Sequence, residues 1–145
     1  MHRKGGNVQN KIIEKINKLL AKTISNFKCP KTAIGTCSSP YVDQSTGTVF
    51  FSQNSSLIGQ AQEYCHEVWH WHYEDYKHYD AKTYPRVNGA YQFGINPDWD
   101  YREGRATFKS RELMQKFKLP PNITPNSEYN KAESYYVQQS KTPQP

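Results

Sequence analysis

The stretch Leu57-Ile58-Gly59-Gln60-Ala61-Gln62-Glu63-Tyr64-Cys65-His66-Glu67-Val68-Trp69-His70 decides how this chain is read. Within it Leu57, Ala61, Tyr64, Cys65 and Val68 follow the i, i+4, i+7, i+8, i+11 spacing of one apolar helix face. Trp69, Trp71 and Tyr73 alternate with His70 and His72, which is a strand signature, but a strand from Leu57 to Glu74 would far exceed the usual ~3–10 residues. A helix is therefore expected. Residues four apart on a helix are turned by about 400° and separated by roughly 6 Å of rise. His66 and His70 then point to one side and can share a metal ion, while Glu67 reaches a water on that metal rather than the metal itself. The pattern His-Glu-x-x-His places two ligands and a general base in one turn, the signature of a metallopeptidase helix.

Two imidazoles do not hold a catalytic zinc, which needs a third protein ligand and an open position for water. Downstream carboxylates are Asp98, Asp100, Glu103 and Glu112, and Asp80, His72 and His78 lie in between. His72 follows His70 by two residues, about 200° around the helix, so it faces away from the same metal. Asn96-Pro97-Asp98 reads as a helix start, with Asn as cap, Pro at the first helical position and an acid in the first turn. Glu103 lies more than one turn inside that helix, on the rigid backbone a ligand requires.

The order of elements adds to this. An N-terminal amphipathic helix, a small hairpin, the His-Glu-x-x-His helix, a variable loop and a helix carrying Glu103-Gly104-Arg105-Ala106 with Phe108 follow one another. Over approximately residues 8–122 the chain resembles the ImmA/IrrE metallopeptidases, with Leu119-Pro120 corresponding to the end of the family's last helix. Departures are Val68-Trp69, where the family often has Leu-Gly, and a longer stretch between Phe108 and Pro120. The resemblance implies a zincin-like α+β fold, mainly helical, with a small β-hairpin or sheet packed on the motif helix. It also implies Zn2+ as cofactor, with His66, His70 and Glu103 as ligands and Glu67 as catalytic base. The implied substrate is a helix-turn-helix transcriptional repressor whose cleavage derepresses a mobile element, such as a phage, or a stress regulon. An SprT-like protease of DNA-associated proteins, a non-catalytic zinc-stabilised interaction module and a plain nucleic-acid binder are the rival classes. Tyr73, Tyr84, Tyr91 and Arg102 are the sequence's candidates for stabilising the oxyanion of a peptidase.

Composition bounds these readings. The chain of 145 residues is expected to form one domain, 7–122, with a flexible start at 1–6 and a short C-terminal helix and flexible tail at 123–145. Eleven Tyr and three Trp must supply much of the packing. The net charge of +6 concentrates in Arg3 to Lys31 and Arg102 to Lys118, where a solvated helix face is its ordinary meaning, and at most an indirect association with DNA is expected. No apolar run suits a membrane span or a secretory signal, so the expected location is cytoplasmic, with no membrane partner. Cys29, Cys37 and Cys65 form no Cys-x-x-Cys pair and read as reduced thiols, Cys65 as a small buried residue.

Other segments follow from local pattern. Val8, Ile12, Ile16, Leu19, Leu20 and Ile24 make the apolar side of an amphipathic helix whose other side carries Lys11, Lys15, Lys18 and Lys22. Thr32 to Thr36 is a short strand candidate, and Tyr41-Val42 with Thr48 to Phe51 flank a turn. Residues Tyr76 to Ile95 read as a long loop over the cleft. The downstream helix is expected to run to Pro120-Pro121, and a last one from Ser127 to Gln139, with a disordered end from Gln138 to Pro145.

Overall fold

The structure, a computed structural model, describes residues 8–79, 86–87, 90–122 and 127–141. Its architecture is α+β: helix α1 (Lys11–Thr23), strands β1 (Thr32–Ile34), β2 (Tyr41–Val42) and β3 (Val49–Phe51), then helices α2 (Leu57–His72), α3 (Pro97–Lys116) and α4 (Glu128–Lys141). A single turn of 3-10 helix, Asp75–Lys77, follows α2. Among the described residues no helix is long and apolar enough to cross a membrane.

Capping explains where the helices begin. The Asn10 side chain accepts from the Ile12 and Ile13 amides, at 3.0 and 3.3 Å, and donates to the Leu57 carbonyl and Gln60, so one residue starts α1 and pins it to α2. The periodic pattern begins at Val8, but the helix waits for this cap, and the Val8 amide bonds Thr32 instead. Ser56 caps α2 through the Gly59 amide, and Asn96 caps α3 ahead of Pro97. Helix α3 stops at Lys116, short of the two prolines. Lys118 turns left-handed, at φ 54°, and the Leu119 amide closes back on the Met114 carbonyl. Helix α4 runs to Lys141, beyond the expected Gln139 and into the segment from Gln138 expected to be disordered. The expectations for residues 1–6 and for the tail beyond 141 fall outside the described residues.

The sheet has order β1-β3-β2, with β1 parallel and β2 antiparallel to β3. Gly47, at φ 75°, supplies the left-handed residue in the turn from β2 to β3, and Asp43 gathers the Ser45 and Thr46 hydroxyls there. Val49 and Phe51 turn inward from β3 onto Ala61, Tyr64, Cys65 and Val68 of α2, and Ile13, Ile16 and Leu20 close the core from α1. Cys65 is buried as expected, and burial pushes its thiol up to about 12. Leu57 departs from the expected apolar face. At 58% exposure it sits in the first turn of α2, outside the buried face.

Candidate metal centre

Helix α2 buries its apolar side in that core and turns His66, Glu67 and His70 toward α3, where Glu103 faces them. The His66 and His70 Nε2 atoms lie 3.0 Å apart. Glu103 Oε1 is 3.3 Å from His66 Nε2, and its Oε2 is 3.3 Å from His70 Nε2. Donors at the usual zinc bond length on a tetrahedral ion are about 3.3 Å from one another, so the three side chains already stand at the spacing a bound ion requires. Among the described residues this is the one group of His, Cys, Asp and Glu so arranged.

Electrostatics favours a cation at the same point. Burial opposes charge on His70, but the Glu103 and Asp75 carboxylates outweigh it and hold the imidazole well above its ordinary value. Glu103 is also penalised by burial, yet His70 and His66 bring it well below the usual carboxylate range. A proton and a divalent metal compete for such nitrogens, and a metal takes the place the proton would have. Glu67 differs. It is buried in the same cleft, and burial raises its carboxyl despite the two imidazoles.

A support layer that no sequence motif announces stands behind the donors. Glu74 is left-handed, at φ 59°, and turns the chain back beneath α2. Asp75, fully buried, then meets His70 Nδ1 at 2.8 Å and fixes the ring with Nε2 toward the centre. Its other oxygen takes Arg102 and Arg105 of α3 at 2.7 and 3.0 Å. Tyr79, four residues on, donates to Glu103 Oε2 at 2.8 Å, and burial and the neighbouring carboxylates raise its phenol well above the ordinary value. Asp75 follows His70 at i+5, outside the i+3 and i+4 neighbours that helical periodicity examines.

The other expected candidates go elsewhere. Asp98 is exposed and pairs with Arg102, Asp100 bonds the Tyr91 hydroxyl and the Gly94 amide, and Glu112 and His78 are exposed. His72 packs its ring on Trp69 and Tyr73. Tyr73 lies beneath the Arg105 guanidinium, at 3.7 Å, and Arg102 serves Asp75. Of the oxyanion candidates among the described residues, only Tyr91 borders the cleft, and its hydroxyl is engaged with Asp100. Asp80 and Tyr84 lie outside the described residues. A cleft of about 500 Å³ opens over the donors, bordered by Tyr41 and Val42 of β2 and by Tyr129 of α4, whose ring stands edge-on to His66.

The described part of the expected loop Tyr76 to Ile95 borders the cleft, contributing Tyr79 and Tyr91 to its wall. Comparison with protein-family models, curated proteins and solved structures finds no match to this chain.

Proposed function

We propose that this chain is a zinc-dependent metallopeptidase of zincin-like fold, of the ImmA/IrrE type, acting in the cytoplasm on a helix-turn-helix repressor. The observation that carries the enzymatic part is the triangle of His66, His70 and Glu103, with Glu67 buried beside it. Bound there, zinc would supply a Lewis acid that polarises a peptide carbonyl and makes water a nucleophile near neutral pH. Glu67 takes the proton as water attacks and hands it to the leaving amine. Its raised carboxyl suits both directions of transfer. Asp75 and Tyr79 hold the donors in place. The outer edge of β2 has no neighbouring strand among the described residues and borders the cleft, so an extended peptide can lie along it beside Glu67.

An SprT-like site would use a third histidine, and Glu103 in that place supports the first reading. The repressor as substrate rests on the resemblance, with the basic surface as minor support. Purified protein is expected to carry about one equivalent of zinc, lost in His66→Ala, His70→Ala and Glu103→Ala. Glu67→Gln keeps the zinc and loses proteolysis. No enrichment of divalent metal by elemental analysis defeats the metal reading, and full cleavage by Glu67→Gln defeats the role of the base. Zinc retained with no change of function in Glu67→Gln supports an interaction module instead. Co-expression with an adjacently encoded repressor, followed by repressor length and promoter output, tests the substrate; an intact repressor removes that part alone.

A further inference from the structure

Glu103 presents both of its oxygens to the centre, Oε1 3.3 Å from His66 Nε2 and Oε2 3.3 Å from His70 Nε2. A carboxylate that gave both oxygens to a metal would leave four protein donors and fill the position a catalytic site keeps for water. The Tyr79 hydroxyl stands against that arrangement by donating to Oε2 at 2.8 Å. Its proton is not drawn to His70, whose Nδ1 lies 3.1 Å away and donates to Asp75 at 2.8 Å.

Three contacts, two from α3 and one from the hairpin turn, hold the tyrosine. Its ring lies against Trp99 of α3, with centroids 3.7 Å apart, its carbonyl accepts from the Gln44 side chain of the hairpin turn at 2.6 Å, and its hydroxyl is fixed by Glu103. Packing on Trp99 alone calls for no hydroxyl, and desolvating one costs free energy unless it is hydrogen-bonded. We propose that Tyr79 is a positioning residue that restricts Glu103 to one ligand oxygen and thereby keeps the fourth position of the metal open. This rests on the zinc-site reading above.

Cobalt(II) in place of zinc makes the coordination number visible, because four-coordinate cobalt absorbs far more strongly in the visible than five- or six-coordinate cobalt. Wild-type protein is expected to show intense four-coordinate bands. Tyr79→Phe, which keeps the ring on Trp99, is expected to lose visible absorption several-fold as Glu103 supplies its second oxygen. Gln44→Ala, which loosens the Tyr79 backbone without altering any donor, moves the spectrum the same way by less and serves if Tyr79→Phe fails to fold. A wild-type spectrum from a folded Tyr79→Phe, or from Gln44→Ala where that variant must serve, overturns the proposal and leaves the zinc site standing. Weak, higher-coordinate bands in wild type also overturn it, and wild-type protein that takes up no cobalt overturns the zinc-site reading together with this one.

Discussion

Two apolar clusters in this molecule are built from different residues for different ends. The larger joins α1, β3, α2 and part of α3 around the branched aliphatics Ile13, Ile16, Leu20, Val49, Val68 and Leu113, which fill space and need no polar partner, and its buried tyrosine, Tyr64, bonds Asn17 away from the metal centre. The smaller gathers Tyr91, Trp99 and Ala132, with Tyr79, Phe93 and Tyr129 against them. Its aromatics bring hydroxyls with them, and those of Tyr79 and Tyr91 reach Glu103 and Asp100. The first cluster makes a scaffold; the second makes a wall that packs and hydrogen-bonds at once, beside the donors.

The most damaging single change is expected to lie between them. Asp75→Ala leaves Arg102 and Arg105 facing a buried gap and His70 without its partner, which should cost about 3–5 kcal/mol in chemical denaturation and weaken zinc binding as well. Burial pushes the Asp75 carboxyl up, but His70 and the arginines bring it below its ordinary value. With the folded value depressed, its contribution is present above the unfolded carboxyl value and is lost as pH falls below about 4. Ile16→Ala removes a fully buried side chain from the larger cluster and should cost about 3 kcal/mol. Here the folded fraction should still bind one zinc. Equal loss of metal affinity in both variants would break the distinction between scaffold and wall.

Gly104→Ala sharpens the comparison at the seam of α3 and α4. In most helix interiors this exchange stabilises by up to about 1 kcal/mol. Here a Cβ would fall 2.0 Å from the Ala132 carbonyl oxygen, backbone that cannot swing aside, so a loss of about 1–3 kcal/mol is expected. Faster amide exchange in residues 128–141 would be its sign, and a gain in melting temperature would refute the close crossing. The smallest effect is a gain. Burial raises Glu67, so the metal-free fold favours the protonated acid, and its advantage is lost as pH rises through the folded value. Metal-free Glu67→Gln should therefore be more stable than wild type by about 1 kcal/mol at pH 8 and by less at pH 4. Thermal melts at the two values decide it.

The same contrast explains what the sequence disclosed. Helices α1, α2 and α3, the hairpin and the three donors could be read because each rests on a period, a cap or a fixed spacing: Asn10, Asn96-Pro97, His66 and His70. The position of Glu103 came from a helix start and a resemblance, and the structure brings it to the imidazoles. Asp75 and Tyr79 could not be read, since a left-handed Glu74 redirects the chain and no period links them to what they touch. Gly104 is another residue whose part could not be read. Its purpose depends on α4, which passes so close that a side chain there has no room.

The turn at Glu74 also makes one contact of the centre local in sequence. His70 meets Asp75 across five residues, whereas His66 meets Glu103 across 37. Closing the longer loop costs about 1.8 kcal/mol more chain entropy than closing the shorter. One imidazole thus meets its partner at little cost in chain entropy, and the larger share falls on the carboxylate carried furthest along the chain.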